Sequence, residues 1–380
     1  MNYDFDEIID RTSTNSEKWD KYKNTDILPM WVADMDFKAP PPVLKSLQER
    51  IEHGILGYTG IPDRLDDIII RRMKSLYAWK IEKDWLLWIP GVVCGLNVAS
   101  RTWGRLDQKI VTTAPVYPPF FSAPDNCGKK LATVPMMDLH HRFTLDFASL
   151  EKEFKDNAGL FLFCSPHNPC GTIFTRDELH ELVRLCADNH VLICSDEVHS
   201  DFVLAEGKGH IPIASVSKTA ADLTITLMAP SKTYNIPGLG CSFAIIPNSQ
   251  LRQAYKKTLK GLIPEVNLFG LFAAKAAYEE CDEWLSQLIA YLRKNSALVL
   301  QRVNQMKGLK LYAIESTYLA WIDVRGTGLE DPVHYFEQAG VGLSDGEQFG
   351  QKGFIRLNFG CPTTVLEKGL DRMEKALEKI

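Results

Sequence analysis

The sequence predicts an α/β fold: a mostly parallel sheet covered by helices on both faces, with a smaller α/β unit after it. Three observations carry the prediction. Between about residues 90 and 250, short runs that are apolar almost throughout alternate with amphipathic stretches, the texture of strands buried on both faces and joined by helical crossovers. Beyond residue 265 this gives way to a long helical stretch and then to a second, shorter alternation. The 380 residues, 45% of them hydrophobic, hold roughly two to three domains' worth of chain and ample apolar content for a large core.

The elements follow in order. The first forty residues read as irregular; Trp31-Val32-Ala33-Asp34-Met35-Asp36-Phe37 is aromatic and acidic and leads to Pro40-Pro41-Pro42, where a helix starts, because proline in a first helical turn gives up no needed N–H. Strands are expected at Lys109 to Thr113, Leu160 to Cys164, Val191 to Ser195, Leu223 to Met228 and Cys241 to Ile246. Thr175-Arg176-Asp177-Glu178 has the spacing of a capping box and opens an amphipathic helix reaching about Asn189. After residue 265, Leu285, Leu288, Ile289 and Leu292 recur at the spacing of one buried helical face, the mark of a connecting helix. Candidate strands Tyr318 to Val324 and Phe354 to Phe359 and a closing helix from Thr364 to Lys379 complete the smaller unit. The expected division is an N-terminal arm, 1–45, that joins the smaller domain; a large domain, 46–265; and the connecting helix with the C-terminal small domain, 266–380.

Composition excludes several classes of partner. A formal net charge of −5 offers no basic footprint for nucleic acid or an acidic membrane surface. No apolar run approaches the roughly 18 residues of a membrane span, and Met1 to Asp10 is acidic rather than basic-then-apolar, so secretion is not expected. The nine cysteines (Cys94, Cys127, Cys164, Cys170, Cys186, Cys194, Cys241, Cys281, Cys361) form no C-x-x-C pair. They read as reduced core thiols of a cytoplasmic protein, and no metal site is expected.

The polar residues are placed more informatively. Ligands collect at the carboxyl ends of parallel strands, and three successive predicted strands deliver a reactive group there: Asn168 in Ser165-Pro166-His167-Asn168-Pro169-Cys170-Gly171, Asp196 with His199 in Asp196-Glu197-Val198-His199, and Lys232 in Ala229-Pro230-Ser231-Lys232-Thr233-Tyr234-Asn235. Each has a local alternative. Asn168 suits a turn, Asp196 a helix cap, His199 a hydrogen-bonded core position and Lys232 a structural or exposed one. Together they fit pyridoxal 5'-phosphate (PLP): a lysine to form a Schiff base with the aldehyde, a carboxylate to keep the ring nitrogen protonated and an amide donor for the phenolic oxygen. Tyr117, after the predicted strand Lys109 to Thr113, suits stacking on the ring or ordinary packing. The turn Pro90-Gly91-Val92-Val93-Cys94-Gly95-Leu96 offers helix N-terminal N–H groups to a phosphate.

These motifs, with Ser231-Lys232-Thr233-Tyr234-Asn235-Ile236-Pro237-Gly238 and Arg356-Leu357-Asn358-Phe359-Gly360-Cys361-Pro362, resemble those of fold-type-I PLP enzymes of the class I/II aminotransferase family. Within it, Trp31 to Phe37 and the histidine of Asp-Glu-Val-His resemble the MalY/PatB subgroup of cystathionine β-lyases, or C–S lyases. The resemblance runs nearly end to end. It implies a seven-stranded, mostly parallel large-domain sheet and a homodimer with shared active sites. It also implies that Lys232 bears the cofactor, that Asp196 and Asn168 hold its ring nitrogen and phenolic oxygen, and that Arg356 and the Ala33 N–H hold the substrate's α-carboxylate. Val92 and Val93 would give their N–H groups to the phosphate, and Tyr58, in Gly57-Tyr58-Thr59, would reach the phosphate of the neighbouring subunit.

Some positions depart from the broader family. Ala229 stands where a phosphate-binding serine is common and Gly240 where an arginine is, which throws phosphate binding onto Ser231, Tyr58 and the helix terminus. His199 replaces a tyrosine, and Thr363 an arginine frequent in the subgroup. The expected reaction is α,β-elimination from L-cystathionine or a related cysteine S-conjugate, giving a thiol such as homocysteine, pyruvate and ammonia. Residue types leave two alternatives open: an aminotransferase of an L-amino acid, and a PLP-binding regulatory protein with incidental lyase activity.

Overall fold

The computed structural model describes residues 2–104 and 107–380. Its largest sheet has seven strands: β1 Leu86–Ile89, β2 Lys109–Ala114, β3 Leu131–Pro135, β4 Ala158–Cys164, β5 Leu192–Asp196, β6 Thr224–Met228 and β7 Ser242–Ile245, in the spatial order β1-β7-β6-β5-β4-β2-β3. β6, β5, β4, β2 and β3 run parallel, while β7 is antiparallel to both its neighbours. The five predicted strands are β2 and β4 to β7. β1, though apolar, is only four residues long, and β3 is an edge strand with Val134 alone buried, so neither stands out as a long buried run.

Both faces of this sheet are covered, as the apolar strands require. Leu160 and Leu162 of β4 pack on one side with Ile225 and Leu227 of β6 and with Leu96, Val98 and Ala99 of helix α1, Val92–Thr102. Phe161 and Phe163 point the other way, against Leu179, Leu182 and Val183 of α2, Arg176–Asp188. Burying each such side chain contributes roughly 1.5–3 kcal/mol. The capping box of α2 forms as expected: the Thr175 hydroxyl accepts from the Glu178 N–H and the Glu178 carboxylate from the Thr175 N–H. α1 approaches the sheet so closely that a Cβ on Gly95 would lie 2.8 Å from Ile89 Cδ1 and 2.9 Å from Leu227 Cδ1.

The expected single connecting helix is two, α3 Leu268–Glu280 and α4 Asp282–Gln305, because Cys281 at φ −112° and ψ 18° breaks the helical ladder between them. The predicted face survives in α4: Leu288 and Leu292 are fully buried, with Leu285 and Ile289 packed partly against the same core. A four-stranded antiparallel sheet follows, made of β8 Lys310–Leu311, β9 Leu319–Asp323, β10 Ser344–Asp345 and β11 Phe354–Asn358, and α5, Thr363–Leu377, closes the chain. The N-terminal segment crosses back to this region. Leu28 and Pro29 pair in parallel with Val341 and Gly342, and the Asp36 N–H donates to the Gly360 carbonyl at 2.8 Å. Among the described residues no helix is long and apolar enough to cross a membrane.

Candidate active site

Register brings the predicted groups together. Cys164 at the end of β4 is level with Asp196 at the end of β5, and Asp196 with Leu227 near the end of β6, so the turns after three adjacent strands open on one place. There a cavity of about 270 Å³ is lined by Asn168, Asp196, His199 and Lys232, just below the roughly 300–1,000 Å³ usual for small-molecule sites. Tyr117, Ser231 and Ala33 also line it, as do Val92 and Val93 at the start of α1, where the first N–H groups of a helix have no partner of their own within it.

Arg356, buried on β11, stands behind this wall rather than in it. Its Nη1 donates to Asn168 Oδ1 at 3.0 Å and its Nη2 to the Trp31 carbonyl at 2.8 Å. The guanidinium lies 4.6 Å from the Phe349 ring centre, and its buried Nε has no partner among the described residues. Tyr58 lies apart from the other predicted residues. It is fully exposed on the segment that follows the helix Pro41–His53 and does not line the cavity of its own chain.

Burial sets the electrostatics. The Asp196 carboxyl, buried at the strand end and receiving the Val198 N–H at 3.1 Å, is pushed up to about 7 by desolvation, that hydrogen bond opposing the shift and the neighbouring Glu197 adding to it. The Lys232 amine is pushed down to about 8 by burial, against the pull of Asp34; its Nζ donates to the Ala33 carbonyl at 2.7 Å. Burial holds the Arg356 guanidinium at about 10 and brings the His199 ring down to about 3, helped by the positive charges of Lys232 and Arg356. His199 is therefore neutral at ordinary pH.

The donor set suits PLP on its own chemistry. A buried carboxylate without a cation is costly, and a protonated ring nitrogen would supply what Asp196 lacks. Because Asn168 Oδ1 is taken by Arg356, its Nδ2 is the end free to donate to a phenolic oxygen. The buried Nδ1 of His199 has no partner among the described residues.

Several residues that shape the site carry little signal in the sequence. Ser344 accepts from Arg356 Nη2 at 3.4 Å and donates to the Trp31 carbonyl at 2.9 Å. Tyr318 donates to the Ala33 carbonyl at 3.0 Å. Asn358 Nδ2 donates to the Val32 and Asp34 carbonyls, each at 2.7 Å, and Asn235 Nδ2 to those of Met35 and Phe37, each at 2.8 Å. Most of these groups act on backbone carbonyls of the arm, where a partner's identity leaves no trace; only Asn358 and Asn235 fall inside motifs that could have drawn attention to them. The arm is itself held by charge: Lys18 and Arg11 both pair with Asp36, at 2.7 and 2.6 Å.

Comparison with known proteins agrees with this geometry. The sequence model of the family described as aminotransferase class I and II matches residues 25–373. Cystathionine beta-lyase PatB of Bacillus subtilis is 36% identical over 385 residues, covering 98% of this chain and 99% of its own. The crystal structure of OvoB superposes with a TM-score of 0.96 at 43% identity, covering 99% of each chain. That of cystalysin from Treponema denticola, which contains a pyridoxal 5'-phosphate cofactor, gives 0.95 at 33% identity and covers 100% of each.

Proposed function

The chain belongs to the aminotransferase class I and II family, and from that premise we propose that it is a PLP-dependent carbon–sulfur β-lyase. It would cleave L-cystathionine or a related cysteine S-conjugate to a thiol such as homocysteine, pyruvate and ammonia. The observation that carries the reading is the convergence of Lys232, Asp196 and Asn168 on one cavity, with Arg356 bonded to Asn168 behind it, in a chain with full-length similarity to a cystathionine beta-lyase.

Bound PLP supplies an electron sink for the pair left at the substrate Cα when its proton is removed. The chain's own groups do the rest. Asp196 holds the proton on the ring nitrogen, Asn168 Nδ2 donates to the phenolic oxygen and Tyr117 packs on the ring face. His199 offers its unpartnered Nδ1 without adding charge. The N–H groups of Val92 and Val93 and the Ser231 hydroxyl hold the phosphate, joined by Tyr58 from a second copy of the chain. Arg356 and the Ala33 N–H hold the substrate carboxylate, for which a guanidinium fork is well shaped. Lys232, with an amine at about 8, is poised near neutral pH to take the Cα proton and to return it to the departing sulfur.

The reading extends to assembly and location. Ile51, Ile55, Leu56 and Tyr58 form an exposed, mostly apolar stretch, which supports a homodimer. Nine free cysteines support a reducing, cytoplasmic setting. We further propose the division into arm, large domain and small domain at residues 45 and 265.

Incubating the PLP-loaded protein with L-cystathionine and no keto acid tests the activity. Pyruvate release is expected; turnover that begins only when a keto acid is added would replace the lyase with an aminotransferase.

A further inference from the structure

The Ala33 carbonyl receives two side-chain donors, Lys232 Nζ at 2.7 Å and the Tyr318 hydroxyl at 3.0 Å. We propose that this oxygen is where the Lys232 amine docks whenever it is not bonded to the cofactor, and that Tyr318 is a positioning residue that fixes the oxygen and shares its lone pairs. The inference rests on reading Lys232 as the cofactor-bearing lysine.

The oxygen is unusually well held. Asn358 Nδ2 binds the carbonyls on either side of it, those of Val32 and Asp34, so the peptides flanking Ala33 have little freedom. Tyr318 is fully buried. Its ring sits edge-on to Phe202, 5.0 Å between centroids, and to His199 at 6.1 Å, and its backbone carbonyl receives the Phe359 N–H at 2.9 Å. A hydroxyl on so rigid a ring has one direction in which to donate. Burial also pushes its phenol above its ordinary range, so it stays a donor at any working pH.

A carbonyl oxygen has two lone pairs. With Tyr318 on one, the other is left to lysine, which donates an N–H whether it is an amine waiting to take the Cα proton or the ammonium that carries it. The Tyr318 O–H also puts its positive end on the oxygen that the ammonium uses, which disfavours the charged form and keeps the lysine a base. The other charged or titratable groups around the amine are Asp34 on the arm, Asp196 at the end of β5 and His199 after it, Tyr117 after β2, Arg356 on β11 and the thiols of Cys94, Cys164 and Cys241 in the cavity wall; substituting Tyr318 replaces none of them.

Tyr318→Phe keeps the ring and removes only the donor. The test reads the pH midpoint at which cofactor-free protein condenses with added PLP, the lysine amine and the aldehyde joining with loss of water, followed by the visible absorption band. The midpoint is expected to rise by about half a unit to one unit, the size of one hydrogen bond's effect. In the loaded enzyme kcat is expected to fall about 3- to 10-fold with KM unchanged, the loss shrinking as pH is raised. A midpoint and kcat equal to the parent's, whether or not thermal stability drops, would overturn the positioning role. A parent protein that forms no band would overturn the cofactor reading as well, so the two failures are distinguishable.

Discussion

Asp196 shows how a group suited to a cofactor strains the protein that must fold without one. Its carboxyl is held near 7, far above the roughly 3.9 of an unfolded chain. The folded state therefore keeps a proton that the unfolded state has lost; the stability this group contributes is complete below about pH 4 and is lost as pH rises through about 7. Asp196→Asn is accordingly expected to raise the melting midpoint of the cofactor-free protein by at least about 2 °C at pH 8 and to leave it unchanged near pH 4, while sharply weakening catalysis. Scanning calorimetry at both pH values checks this, and equal midpoints at pH 8 would contradict it. Arg356→Lys keeps a charge but removes the fork. It is expected to lower kcat/KM by about tenfold to a hundredfold, mostly through KM, while the cofactor's absorption is preserved. At this scale the sequence speaks clearly only where a reactive type stands at a strand end. Lys232, Asp196 and Asn168 stand there; Tyr318, Ser344 and Phe349 do not, because a donor to a carbonyl, or a ring beneath a guanidinium, is an ordinary residue until the chain has folded.

Among the elements, β4 and β6 were readable because a strand covered on both faces must be apolar throughout, and the helix Arg176–Asp188 because its capping box is written in four residues. β3 was not, since an edge strand with one buried residue has no period to detect. Nor was the break at Cys281, where the helical pattern continues on either side. α1 joins these elements to chemistry: its N-terminus reaches the cavity because Gly95 lets it settle against Ile89 and Leu227. Gly95→Ala, which forces a methyl to within 2.8 Å of Ile89 Cδ1, is expected to destabilise the protein by about 1–3 kcal/mol and to weaken PLP affinity. Urea unfolding and cofactor titration measure the two effects, and a loss of stability with affinity intact would separate the packing of α1 from phosphate binding.

For the whole molecule, the exposed apolar stretch at Ile51 to Tyr58 makes assembly testable. Ile55→Asp is expected to yield monomers by light scattering and to lose most activity, because Tyr58 would no longer meet a neighbouring site; a fully active monomer would refute the shared site. The resemblance in the sequence implies a paired molecule, but says little of the degree to which the arm is woven into the wall of the cavity. That wall unites the two ends of the chain. The Trp31 carbonyl meets Arg356 across 325 positions, and Asn358 clasps Val32 and Asp34 across similar spans. During synthesis the arm must wait for β11 before the pocket can close, and contacts so distant in sequence form slowly. Chains that stop short of β11 thus hold Lys232 without its frame, and deleting either the arm or the segment from β11 through α5 should silence the protein while the seven-stranded sheet stays folded.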